Sequence, residues 1–255
     1  MTQVFSLEGR IALVTGGSRG IGRMMAGGLL KHGATVYICS RKAKDCETTA
    51  RELSSLGPCH ALPADIATVE GARTLAQTLA GRESRLDILV NNAGAAWSAP
   101  FERFPENGWD KVVDLNMKAP FFLTQAMLPL LRESAKQRCA KVINIASIDG
   151  LSTTAWETFP YTASKAGLIH LTKRLALALV GERIVVNCIA PGAFASDMNV
   201  LARDHEQAMA SQVPAGRIGQ TEDIEAAVVY LASRGGDYVV GSTLVIDGGW
   251  THTRT

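Results

Sequence analysis

Short apolar runs rich in Val and Ile recur along the chain, at residues 11–14, 35–39, 86–90, 141–146, 184–189 and 244–246, and longer segments with helical spacing separate them. Runs of this length suit strands buried on both faces. Their alternation with helices predicts right-handed β-α-β crossovers, hence a parallel sheet covered by helices on both faces. A weaker strand near 60–62 brings the count to about seven, the doubly wound Rossmann-type α/β arrangement. No Pro-, Gly- or Ser-rich linker, repeat or low-complexity run divides the 255 residues, so one domain over 1–255 is expected.

The rhythm breaks once. Between the strand ending near Ala190 and the helix starting near Glu222 lie about 30 residues, too many for a simple connection, and a substrate-covering lid is expected over 194–220. A helical pair packed on the surface is the alternative. With 26 Lys and Arg against 24 Asp and Glu, the net charge of +2 gives no field that points to nucleic acid or a membrane surface. The first residues lack a basic and then apolar leader pattern, and no apolar stretch approaches the roughly 20 residues that span a bilayer, so a cytoplasmic protein is expected. Five cysteines without a CxxC pair argue against a disulfide framework, and five scattered histidines give no metal-ligand spacing.

After the first strand comes Thr15-Gly16-Gly17-Ser18-Arg19-Gly20-Ile21-Gly22, followed by helical spacing over 23–31. Glycines let backbone approach a ligand closely, and the free N–H groups at a helix start make an anion site suited to a pyrophosphate. The spacing is GxxxGxG rather than GxGxxG, and a ligand-free tight turn is the plain alternative. The same residues satisfy GxSxG, the pattern of a hydrolase nucleophile elbow at Ser18, with His252 as a distant partner. At the end of strand two, where a carboxylate would read the ribose of NAD(H), the chain has Ser40-Arg41-Lys42. Arg41 with Arg19 can clamp a 2′-phosphate, which favours NADP(H) over NAD(H); a solvated arginine at a helix start is the other reading. Asp65, after strand three, is placed either to accept from the adenine amino group or to cap a helix.

Tyr161 and Lys165 stand at i and i+4 in YTASKAGLIHLTKRLALAL and share a face of any helix there, with Pro160 suited to its first turn. Ser147 ends the strand KVINIAS, and ligands collect at the carboxyl ends of such strands. To act as a base near neutrality a phenol must fall from about 10 by roughly three units, or about 4 kcal/mol. An ammonium about 4 Å away supplies a similar amount at an effective dielectric of about 20, so Lys165 is a sufficient partner. In reduction, hydride passes from nicotinamide C4 to a carbonyl carbon, Tyr161 gives the oxygen its proton, and Ser147 adds a second hydrogen bond.

TGGSRGIG, NNAG at 91–94, Ser147, YTASK and the PG at 191–192, in this order over nearly the whole chain, resemble the short-chain dehydrogenase/reductase family. The resemblance implies a catalytic Asn116, Ser147, Tyr161 and Lys165. It also implies a cofactor site of Gly16, Ser18, Arg19, Gly20, Ile21, Gly22, Arg41, Asp65, Asn92 and Gly94, with Tyr161 and Lys165. Pro191, Gly192, Phe194 and Ser196 fall at the nicotinamide end. The 14-residue step from Ser147 to Tyr161 is slightly long for the family, and Ser196 stands where threonine is usual. Trp97, Trp156 and Phe159 are candidate walls of an apolar substrate site, with ordinary packing as the alternative.

Within the family the chain looks most like 3-oxoacyl-(acyl-carrier-protein) reductases and related ketoreductases, which implies a ketone or secondary-alcohol substrate, an acyl thioester on a carrier protein among them, and a homotetramer. Lys173, Arg174 and Arg183 are candidates for a carrier-docking patch, and a solvated helix face explains them equally. Sugar, polyol and steroid carbonyls stay open, as does a cofactor-binding sensor without catalysis.

Overall fold

The computed structural model describes residues 3–153, 155–197, 199–251 and 253; His252 lies outside them. In chain order the elements are β1 (Ile11–Thr15), α1 (Gly20–Lys31), β2 (Thr35–Cys39), α2 (Ala43–Leu53), β3 (Cys59–Ala61), α3 (Val69–Ala80), β4 (Ile88–Asn91) and α4 (Glu106–Val113). They continue with α5 (Ala119–Ala135), β5 (Ala140–Ile145), α6 (Phe159–Leu179), β6 (Ile184–Pro191), α7 (Val200–Asp204), α8 (Glu206–Ala210), α9 (Thr221–Ala232) and β7 (Thr243–Ile246). All seven strands run parallel in the order β3-β2-β1-β4-β5-β6-β7, the Rossmann-type α/β sheet the alternation requires. The order reverses between β1 and β4, which opens a crevice outside their carboxyl ends.

The period-2 geometry of a strand sorts side chains to the two faces. Ala12 and Val14 join Met25 and Leu29 of α1 and Ile224 and Val228 of α9 in one layer. Ile11 and Leu13 join Leu75 and Leu79 of α3 and Leu123 and Met127 of α5 in the other. Both faces are therefore dry, which is why the strands read as nearly unbroken apolar runs.

Two boundaries differ from the sequence expectation. The first helix begins at Gly20 rather than near 23, because Gly20 takes a φ of +52° that turns the chain directly from the loop into the helix. The run at 86–90 starts as a strand only at Ile88: Asp87, fully buried, anchors the amino-terminal rim by accepting from Ile11 N at 2.8 Å and Ser134 Oγ at 2.7 Å. The long excursion folds partly as the short helices α7 and α8, packed around Ala202, Met209 and Ile218 with Trp250 against them. Among the described residues no helix is long and apolar enough to cross a membrane.

Candidate functional site

The glycine loop is a cradle made by close backbone approach. A Cβ at Gly16 would stand 2.8 Å from Asn92 Nδ2, and one at Gly22 would overlap both the Gly16 carbonyl and the Asn92 amide. Asn92 Nδ2 donates to Thr15 O at 2.8 Å and to Gly16 O at 3.3 Å, while Thr15 Oγ1 accepts from Asn92 N and Ala93 N at 2.9 and 3.0 Å. The NNAG stretch thus clamps the loop from the next strand across the crevice. Thr49 Oγ1 holds Ser18 O at 2.9 Å from α2, and Ile21 packs into the core. Arg19 at the N-cap of α1 gives that helix no side-chain cap, which leaves its first N–H groups for an anion.

Around this cradle Arg41 is exposed and takes no ion pair among the described residues. Arg19 is engaged elsewhere, its Nη1 2.9 Å from Asp197 Oδ2. Asp65 is exposed and accepts from Ala67 N at 3.1 Å, whereas Thr68 is the residue that caps α3, so the capping reading of Asp65 does not hold. For the hydrolase reading, no histidine hydrogen-bonds Ser18 among the described residues.

The second cluster lies at the ends of β5 and α6. Lys165 is buried and donates from Nζ to Ile145 O at 2.7 Å, which places its ammonium 5.6 Å from the centroid of the Tyr161 ring. The Tyr161 hydroxyl hydrogen-bonds the Ser147 side chain, and Ser147 Oγ also accepts from Asp149 N at 3.2 Å. Gly94 belongs to the same corner, since a Cβ there would lie 3.2 Å from Asn116 Oδ1 and 3.7 Å from Lys165 Nζ.

Electrostatics at this corner differ from the simple sequence argument. Burial pushes the Tyr161 phenol up to about 12; the Ser147 hydrogen bond works the other way, and the Asp149 carboxylate adds to the rise. Burial also pushes Lys165 down to about 8. Desolvation of both partners outweighs the attraction that was expected to lower the phenol. At neutral pH Tyr161 is therefore a protonated acid.

Asn116 sits in a π-helical turn, Asp114–Lys118, between α4 and α5. Its side chain is fully engaged: Oδ1 accepts from Ala95 N at 2.8 Å, and Nδ2 donates to Ala95 O at 2.9 Å and Ser164 Oγ at 3.1 Å. It ties the strand-four loop to α6 beside Lys165. On the far side, Pro191 closes β6, Gly192 lies against Asp247, and Ser196 packs near Gly20. Phe194 differs from its expected place at the cofactor. Its side chain is 2% exposed with the ring over the Gly219 backbone, so only its main chain can face the crevice.

A family model described as enoyl-(acyl carrier protein) reductase matches residues 16–251. The chain belongs to the short-chain dehydrogenase/reductase family. The rhamnolipids biosynthesis 3-oxoacyl-(acyl-carrier-protein) reductase of Pseudomonas aeruginosa is 49% identical over 254 residues, 98% of this chain and 99% of that protein. The 2-dehydro-3-deoxy-D-gluconate 5-dehydrogenase of Escherichia coli is 38% identical over 251 residues, 96% and 97% of the two chains. Among solved structures, the Pseudomonas aeruginosa RhlG/NADP active-site complex superposes with a TM-score of 0.95 at 48% identity, covering 98% of this chain and 100% of that one.

An aromatic cluster stands at the start of α6, two residues before Tyr161, with a different membership from the sequence proposal. Phe159 meets Phe101 and Phe104 edge-on at 5.6 and 5.9 Å, and Trp109 extends the cluster from Phe104 at 6.5 Å. Trp156 stands nearby in sequence and 58% exposed. Trp97 packs its ring against Gly108 of α4, the residue before Trp109, and under Lys111 Nζ at 5.1 Å from the centroid. The long step from Ser147 to Tyr161 is braced by Glu157, whose carbonyl accepts from Ala99 N and whose carboxylate accepts from Phe101 N, each at 3.3 Å. Phe101, Phe104 and Asp149 were missed from sequence; no periodicity or motif marks residues that meet only through loop packing. A separate cavity of about 80 Å³, lined by Ala193, Val213, Arg217 and Asp247 among others, holds none of Ser147, Tyr161 or Lys165.

Proposed function

We propose that the chain is an NADP(H)-dependent ketoreductase that reduces a 3-oxoacyl thioester, carried on an acyl carrier protein, to the secondary alcohol. The observation that carries this reading is the Tyr161 hydroxyl held by Ser147, with the Lys165 ammonium over its ring, beside the glycine cradle. The residues present fit a dinucleotide: glycines at 16, 17 and 22 let the loop close against Asn92 and Ile38, the start of α1 without a side-chain cap offers N–H groups to the pyrophosphate, and Arg41 takes no ion pair among the described residues. Asp65 is placed for the adenine, while Asn92, Gly94, Pro191, Gly192 and Ser196 line the way to the nicotinamide end. Bound NADPH supplies a hydride for the carbonyl carbon.

The chain's own residues do the rest. Ser147 and Tyr161 converge on the substrate oxygen, and Tyr161, protonated because burial holds its phenol at about 12, gives up the proton that the new alkoxide needs. Lys165 stabilises the phenolate left behind, and Asn116 fixes the loop and helix that place Lys165. Residues 194–220 act as the lid, the aromatic cluster receives the acyl chain, and the protein works as a cytoplasmic homotetramer.

The test is NADPH consumption with a 3-oxoacyl thioester on carrier protein, run beside NADH and a panel of sugar acids, polyols and steroids. NADPH-dependent reduction of the thioester is expected. Failure of every carbonyl and alcohol with both cofactors would sink the assignment and favour a sensor. The identity with the E. coli sugar-acid enzyme supports one second reading, and faster turnover of a sugar acid than of the thioester would establish it.

A further inference from the structure

Asp149 is an acidic group to which the mechanism above assigns no contact with the substrate, and burial pushes its carboxyl up from the ordinary range. It lies two residues beyond Ser147 in the short turn Ile148–Gly150, and its backbone N–H is held by Ser147 Oγ at 3.2 Å. The turn is seated tightly on α6, because a Cβ at Gly150 would come within 2.7 Å of the Lys165 backbone. Its place beside the reacting pair is therefore rigid. The side chain is half-buried, and among the described residues no lysine, arginine or histidine pairs with it and no donor reaches its oxygens. Lys165, whose backbone the turn packs on, donates its Nζ to Ile145 O at 2.7 Å. The Tyr161 phenol feels the Asp149 charge directly.

An unpaired carboxylate in a partly desolvated cleft contributes nothing to folding that a neutral side chain could not, and it acts on whatever enters. We propose that Asp149 is a charge filter for the substrate, admitting ketones that are neutral around the reacting carbonyl and rejecting those with a carboxylate beside it. The inference rests on the ketoreductase reading and narrows it. A 3-oxoacyl thioester is neutral near its ketone, its phosphate lying far along the carrier arm, whereas a sugar acid brings its carboxylate within a few bonds of the carbon that is reduced. For any two like unit charges about 7 Å apart at an effective dielectric of about 20, the repulsion corresponds to a preference of roughly 50-fold, the scale expected of such a filter.

The experiment uses a matched pair, ethyl acetoacetate and acetoacetate, which share one ketone and differ in charge. With NADPH, kcat/KM for the ester over that for the acid is measured in the wild-type protein and in Asp149→Asn and Asp149→Ser. The expected result is a large wild-type ratio that falls about tenfold or more in both variants, through a rise on the acid. Changes in Tyr161 acidity or in the folded fraction act on both ketones and cancel in the ratio. A ratio within about twofold of wild type in both variants overturns the filter alone. No turnover of the ester by the wild-type protein overturns the ketoreductase reading and the filter together.

Discussion

The cofactor side and the substrate side of the cleft are held by different physics. Around Gly16–Gly22 the contacts are backbone packed on backbone and enclosed hydrogen bonds, such as those that Thr15 Oγ1 accepts from Asn92 N and Ala93 N. Across the crevice the segment 194–220 meets the loop through an exposed ion pair, Asp197 to Arg19 at 2.9 Å, with Asp197 also paired to Arg203 of its own segment at 3.0 Å, and the aromatic cluster exposes Phe101 by 72%. The first side tolerates almost no change in shape, while the second can be rewritten without touching the sheet. One fold can thus keep its cofactor chemistry while relatives named for acyl and for sugar substrates share 49% and 38% of its residues over nearly the whole chain.

Substitutions on the two sides test that contrast. The largest effect is expected for Tyr161→Phe, which removes the proton donor and leaves the ring: kcat falls by about 10³-fold while NADPH affinity, read by fluorescence titration, stays near wild type. Near wild-type turnover would break the assignment of Tyr161. Next comes Lys165→Met, which also ends turnover but stabilises the fold. Lys165 has a folded pKa of about 8 against an ordinary 10.5, so keeping its charge buried costs on the order of 3 kcal/mol at neutral pH. Between these pH values the unfolded chain binds the proton more tightly, so wild-type stability rises with pH through that window. The variant should melt several degrees higher at pH 7, with the advantage gone as pH passes 10.5. A lower Tm at pH 7 would mean that the bond to Ile145 O outweighs the desolvation.

Arg41→Ala is expected to raise KM for NADPH by about 10- to 100-fold, the worth of a charge-assisted phosphate contact, and KM for NADH by less than about threefold. Equal effects on the two cofactors would show that Arg41 does not read the phosphate. The smallest change belongs to the segment 194–220, the proposed lid. Asp197→Asn removes exposed pairs worth under about 1 kcal/mol, so protease nicking within 194–220 should accelerate by less than about fivefold, and the difference should shrink in high salt. A larger acceleration would place the lid under tighter control than its exposed contacts suggest.

Most of the cofactor side was legible in the sequence, because local rules make it. Glycines at fixed spacing, a strand before them and a helix after them leave few alternatives. The doubly wound class and the count of seven strands followed from the alternation of strand and helix. The substrate side was legible only in part. Phe159 stood out, but Phe101 and Phe104, its actual partners, come from a loop about 60 residues upstream, and Trp97 turned to α4 instead. The direction of the Tyr161 shift could not be read either, since it depends on burial and on Asp149, two properties of the folded cleft. Asn116 shows the intermediate case: its place in the corner was visible, but not that Ala95 and Ser164 take up its whole side chain.

The pairing of β1 with β4 also sets when activity can appear during refolding. Ala12 lies in register with Ile88, and Thr15 reaches its Asn92 partner only once that register is made, so the cradle depends on closure of a long, non-local loop. Such pairings form late and slowly compared with helices. Helical signal should therefore return before cofactor binding after dilution from denaturant, and a chain emerging from the ribosome has no cradle until β4 has followed β1 out.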